Sequence, residues 1–192
     1  MFPNYQEDSA TPAINRVLLL DRGDWVPYFK DQAVKFHVMD RESQGVQALV
    51  VNRGDTAVEE IALRGRGVIE RLFSDCGDYT AQCVMSDGSR SQECEFSVCD
   101  LDFRLPAETP TRDKPWEIRF TAGNLNVITV QIMSSKPPYG RYNVWLTEQD
   151  RRSRKVTVPA GLVRDPGLVH VWLIGENRYG RLTRQEEVVF VD

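Results

Sequence analysis

Few side chains in this sequence are of a type that carries chemistry. There are two histidines, His37 and His170, and four cysteines, Cys76, Cys83, Cys94 and Cys99. Nucleophilic catalysis needs a nucleophile, a base and a group that orients the base, all brought together. Each histidine instead alternates with apolar neighbours: Val34, Phe36 and Val38 around His37, Val169 and Val171 around His170. A period of two puts each imidazole on the opposite face of its strand from those apolar residues. Asp87-Gly-Ser89 is a turn signal and not a nucleophile elbow. Arg64-Gly-Arg-Gly67 lacks the Gly-Lys-Ser/Thr ending of a phosphate loop and reads as a bulge or tight bend. No enzyme is expected.

The cysteines lack the paired Cys-x-x-Cys spacing of a zinc site. In a hairpin centred on Gly88 and Ser89, Cys83 and Cys94 fall opposite each other, within reach of a disulfide. Cys76 and Cys99 fall on a diagonal. One expectation is a Cys83–Cys94 bridge; the other, which cytosolic synthesis favours, is reduced thiols packed as small hydrophobes. Glu59-Glu60 and Glu186-Glu187 each point to opposite faces of a strand. Asp100 and Asp102 share a face that suits oxygen coordination of calcium, but a solvated acidic patch is the favoured reading. No metal or cofactor is expected.

Lys and Arg number 24 against 28 Asp and Glu, a net charge of −4, which makes no electrostatic case for nucleic acid. The basic run Arg151–Lys155 has no aromatics interleaved for base stacking and reads as a solvated loop tip. No apolar run approaches the roughly 20 residues of a spanning helix. Met1–Ser9 lacks the pattern of a secretory signal, so cytosolic synthesis and no membrane partner are expected.

Strands must position these residues. Ile14–Leu20, Ala33–Met39, Val46–Val51, Val58–Leu63, Val68–Phe73, Trp116–Phe120, Leu125–Met133, Arg141–Thr147 and Lys155–Val158 have strand length and β-rich or alternating character. Ala57–Arg64 also has the composition of a short helix. Two passages share one plan, Gly77–Val98 and Gly167–Val191: a glycine, an alternating strand, a polar turn with glycine, and a second alternating strand. A repeated closing hairpin predicts two tandem β-domains, 1–100 and 101–192. The proline-rich stretch 104–115 begins the second domain, and the short junction makes the pair semi-rigid. Trp116 and Trp145 are expected in the second core. Trp172 shares a face with His170 and Ile174, opposite Val169, Val171 and Leu173. Burial of Trp172 in the core is the favoured expectation; if that face instead points outward it is an exposed apolar stripe, the candidate interface.

Gly77-Asp-Tyr79, with Cys83 four residues on, resembles the strand after the E–F corner of an immunoglobulin-like domain, where a tyrosine packs at the corner. The early strands hold no cysteine, so the inter-sheet bridge of antibody domains is excluded. The resemblance implies an all-β protein of two tandem immunoglobulin-like antiparallel β-sandwiches. Lys155-Val-Thr-Val-Pro-Ala-Gly-Leu-Val-Arg-Asp-Pro-Gly167 and the strand to Gly175 are similar to small β-sandwich domains in structural proteins of tailed phages. That similarity implies a non-catalytic virion accessory component (capsid decoration, fibre or tail). Such a component would be made in the host cytoplasm and would bind other structural proteins of the assembly or itself. The alternative is a carbohydrate-binding or adhesion module of a bacterial cell surface, with Trp25, Tyr28, Tyr139 and Tyr179 as glycan platforms.

Overall fold

The computed structural model describes residues 17–23, 26–39, 45–137, 139–164 and 166–191; Trp25 and the N-terminal part of the Ile14–Leu20 strand expectation lie outside them. The first half holds β1 (Leu18–Leu20), β2 (Pro27–Phe29), β3 (Val34–Val38), β4 (Val46–Arg53), β5 (Thr56–Ala62), β6 (Gly67–Arg71) and β7 (Gly77–Met85). Then comes β8 (Cys94–Arg104), followed by β9 (Trp116–Gly123), β10 (Asn126–Ser134), β11 (Arg141–Trp145), α1 (Glu148–Ser153), β12 (Lys155–Val158), β13 (Gly167–Asn177) and β14 (Gly180–Phe190).

The strand order identifies the fold. In the first half β1, β3 and β6 form one antiparallel sheet, and β5, β4, β7 and β8 run side by side in the other. In the second half β8, β9 and β12 run side by side, facing a sheet of order β11-β10-β13-β14. Among the described residues, and setting aside β2, which pairs in parallel with β8, each half has seven strands. The first, second and fifth form one sheet; the fourth, third, sixth and seventh form the other. The molecule is therefore all-β, two immunoglobulin-like sandwiches in tandem.

The seventh strand of the first sandwich and the first strand of the second are the same strand. Cys94, Phe96 and Val98 of β8 enter a core built from Leu18 to Val98; Cys99, Leu101 and Phe103 enter a core built from Cys99 to Phe190. Side chains alternate across a strand, so moving the apolar phase from even to odd positions sends the two cores to opposite faces of β8. The burial pattern records the switch as consecutive buried residues at 96–99. The proline-rich stretch 104–115 joins β8 to β9 inside the second sandwich.

The first core is aromatic. Phe96 stacks on Tyr79 at 5.4 Å and meets the edges of Phe36 and Tyr28. The Tyr79 hydroxyl donates to the Asp75 carbonyl at 2.8 Å, the backbone bond of a tyrosine corner. Residues 56–62 are strand, not helix, because pairing with β4 overrides their composition. The expected basic loop is α1 plus the start of β12. Thr147 caps α1 through a capping box with Asp150, and a six-residue helix is too short to show a 3.6-residue period.

Candidate binding face of the second sandwich

The sheet β11-β10-β13-β14 buries Val169, Val171 and Leu173 and turns His170, Trp172 and Ile174 the other way, half-exposed. Cross-strand pairing sets this outward face in rows. The first is Trp145, Thr129, Ile174 and Thr183, of which Thr129 is itself buried. The second is Asn143, Gln131, Trp172 and Gln185, and the third is Arg141, Met133, His170 and Glu187.

Side-chain hydrogen bonds run along these rows and between them. The Arg141 guanidinium donates to Gln131 Oε1 at 2.8 Å, and Gln131 Nε2 donates to Asn143 Oδ1 at 2.8 Å. The Trp172 indole N–H donates to Gln185 Oε1 at 3.0 Å. Gln185 Nε2 lies 3.3 Å from His170 Nδ1, which lies 3.1 Å from Glu187 Oε1. The His170 and Trp172 rings are tilted against each other at 5.7 Å. These contacts hold long side chains in place before any partner arrives, which lowers the entropy lost on binding.

Trp145 does not fill the second core: it is 68 % exposed, while Trp116 is buried against Phe190. Tyr142 and Val144 occupy the inward positions of β11, and alternation leaves Trp145 outside. Its Cα lies about 12 Å from that of Trp172, two strands over and one step along. The outward face thus carries a second tryptophan that reading by residue type assigns to the interior; the pattern Arg-Tyr-Asn-Val-Trp was the signal for it.

The glycan platforms fare differently. Tyr28 and Tyr179 are buried, and only Tyr139 of the described three is exposed. Burial and the Asp21 hydrogen bond push the Tyr28 hydroxyl well above the usual phenol range. Asp100 is paired with Lys30 at 2.8 Å and Asp102 lies 3.7 Å from Arg184, beside a mixed-charge cleft of about 200 Å³. Among the described residues no group of three or more His, Cys, Asp or Glu is placed to hold a metal. His37 sits on β3 and His170 on β13, in different sandwiches.

The cysteine register is corrected. Ala81, not Cys83, faces Cys94. Met85 N–H donates to Ser89 O, so the tip loop is Ser86-Asp87-Gly88, with Gly88 left-handed at φ 82°. The tip pairs are centred on Asp87, as in the Val84–Arg90 bridge, but the register slips by one beyond it. The strand pairs from Gly77–Val98 to Ala81–Cys94 are therefore centred between Asp87 and Gly88, one residue short of the Gly88–Ser89 turn that the sequence implied. Cys83 N–H is taken by Ser91 Oγ at 2.9 Å, and the Cys94 thiol donates to the Leu18 carbonyl at 3.3 Å. None of the four cysteines is joined in a disulfide in this structure, and burial pushes the Cys83 and Cys99 thiols up to about 11.

A polar cluster fixes the junction. Ser97 Oγ is fully buried and accepts from Asn124 Nδ2 at 2.7 Å and Asn177 Nδ2 at 2.9 Å. Asn124 Nδ2 also donates to Asp78 Oδ1 at 2.7 Å. Arg178 pairs with Asp78 at 3.0 Å, and the Tyr179 hydroxyl donates to Glu95 at 3.2 Å. The β9–β10 and β13–β14 turns of the second sandwich are thereby held to β7 and β8 of the first.

No protein-family model matches the chain, and no curated protein does. Among solved structures it is similar to the fibronectin(III)-like modules of Clostridium thermocellum CbhA, at 13 % identity, TM-score 0.32, over 90 % of this chain and 92 % of that one. It is also similar to Bacteroides ovatus SGBP-B, a structure in complex with a mixed-linkage heptasaccharide, at 15 % identity and TM-score 0.32. That match covers 88 % of this chain but 43 % of that one. The FN1–FN3 domains of chicken CNTN1 match at 9 % identity and TM-score 0.31, over 87 % and 65 %. At these scores the likenesses carry no functional argument, and the assignment to tandem immunoglobulin-like sandwiches rests on the strand order of each half.

Proposed function

We propose that this chain is a non-catalytic binding module of two units, 1–100 and 101–192, whose second unit offers the outward face of β11-β10-β13-β14 to a protein partner. The observation that carries the reading is Trp145, 68 % exposed on a face that also holds Trp172 and Met133. Covering one exposed indole is worth on the order of 3 kcal/mol. Tryptophan, methionine and arginine are the types enriched at protein interfaces, while lysine, aspartate and glutamate are depleted. The three rows contain neither lysine nor aspartate and a single glutamate, Glu187.

A virion as the assembly rests solely on the resemblance of the last forty residues, and the face itself adds no support for it. The glycan reading keeps one described platform, Tyr139, which stands apart from the two tryptophans in the rows. Among the described residues no helix is long and apolar enough to cross a membrane.

The test is site-specific photocrosslinking in the source cell. A benzophenone side chain at Asn143 is expected to give covalent protein adducts. The same group at Val68, exposed on β6 of the first sandwich, is expected to give none. Adducts from Val68 with none from Asn143 would move the binding surface to the other sandwich.

A further inference from the structure

We propose that the partner on this face is a second copy of the chain, docked about a two-fold axis parallel to the strands; the proposal rests on the binding-face reading above. The argument comes from where the charges lie. Of the twelve residues in the three rows only Arg141 and Glu187 are charged acid or base side chains; the flanking row of the same face, Asn126, Glu176 and Arg181, carries one charge of each sign, paired with each other at 3.5 Å. Arg141 and Glu187 occupy one row at its two ends, Arg141 on edge strand β11 and Glu187 on edge strand β14. A two-fold axis along the strands, midway between β10 and β13, keeps each row on its own row and exchanges β11 with β14. Each Arg141 then meets the Glu187 of the other copy, twice by symmetry. The self-complementarity an isologous interface requires is present in the charge pattern.

The other rows are compatible with the same axis. Trp145 comes over Thr183, and Trp172 over Gln131, so no bulky ring is forced onto its own copy. Sheets that pack face to face rotate by about 30°. The edge strands lie about 7 Å from the axis, so the rotation displaces facing edge residues by about 4 Å. An arginine side chain spans that offset. The patch is about 19 Å across four strands and about 20 Å along three rows, small beside a standard interface of about 800 Å² per partner. The dimer is therefore a weak one that assembles and parts in the micromolar range.

Sedimentation velocity on the purified full chain, from about 1 to 200 µM, tests this. Wild type is expected to show a monomer–dimer equilibrium with Kd on the order of 10 µM. Arg141→Glu and Glu187→Arg place like charges opposite each other, and each is expected to weaken the dimer at least about tenfold. An equimolar mixture of the two single variants pairs Glu with Arg at both contacts. It is expected to regain wild-type affinity as a 1:1 heterodimer by native mass spectrometry. The double variant is expected to regain it as a homodimer. Melting curves confirm that each variant is folded, and the mixture carries the test even if the double variant is not. Wild type that stays monomeric to 200 µM overturns the proposal, as does a mixture that stays monomeric while the wild type dimerises. Foreign adducts from Asn143 together with a monomeric wild type sink the dimer and leave the binding face standing. Absence of any adduct from Asn143, self or foreign, removes both.

Discussion

At the scale of single residues, binding and stability separate on this face. Trp145 packs on little, so Trp145→Ala is expected to change unfolding free energy by less than about 0.5 kcal/mol while weakening the partner interaction at least about tenfold. Urea melts and sedimentation on the same samples check both halves. Trp172 is half-buried and bonded to Gln185, so its alanine variant should lose both binding and about 1 kcal/mol of stability. The thiols differ in access. Cys83, Cys94 and Cys99 are buried and Cys76 is partly exposed, so Ellman's reagent should titrate one thiol quickly in the native chain and the rest only after unfolding. Burial holds Cys83 and Cys99 at about 11 against an ordinary 9.0. The unfolded thiols ionise first as pH rises, so stability is intact below about pH 9 and falls between pH 9 and 11. Urea midpoints at pH 8 and 10 should show the drop. Alternation put Trp172 and Val171 on opposite faces but did not say which of the two points outward; packing of the β11-β10-β13-β14 sheet on the second core decides it. Trp145 went astray because its residue type spoke for the interior while its neighbours Tyr142 and Val144 had already taken the inward positions.

At the scale of elements, the hairpin β7–β8 shows what pattern reading reaches and where it stops. The two strands and their turn were visible as alternation around Asp87-Gly88. The register was not, because it depends on a three-residue tip loop with Gly88 at φ 82° and on a slip of one residue between the Val84–Arg90 bridge and the Ala81–Cys94 pair. A side chain added at Gly88 would meet nothing within 4 Å, so the cost of Gly88→Ala is one of backbone alone. We expect about 1 kcal/mol, read from denaturant midpoints, with the binding face unaffected. The missed helix α1 follows the same rule: its signal lay in the cap Thr147 and Asp150, since its length is below two turns. The double duty of β8 was written in Cys-Glu-Phe-Ser-Val-Cys-Asp-Leu-Asp-Phe, where the apolar phase slips from even to odd between Val98 and Cys99. A boundary between domains and a change of face within one strand both leave that mark, and only the pairing partners tell them apart.

At the scale of the whole molecule, the two sandwiches are joined by backbone and by the Ser97–Asn124–Asn177 cluster. We expect a single calorimetric transition for the wild type, because disrupting β8 in one core strips a strand from the other. Asn177→Ala removes the bond to Ser97 and should lower the transition or split it in two. A wild type that already melts in two steps would show that the junction does not couple the cores. The strand order of each half was legible only as two repeated hairpins, because which sheet a strand joins is settled by long-range pairing. The shared strand also has a mechanical meaning. Tandem modules strung on linkers take up tension by straightening the slack between beads. Here the load path between the two cores is the eleven-residue strand β8 itself, with no slack to pay out. Pulled from its two ends, the molecule should behave as a stiff strut, its first extension step coinciding with the rupture of a sandwich.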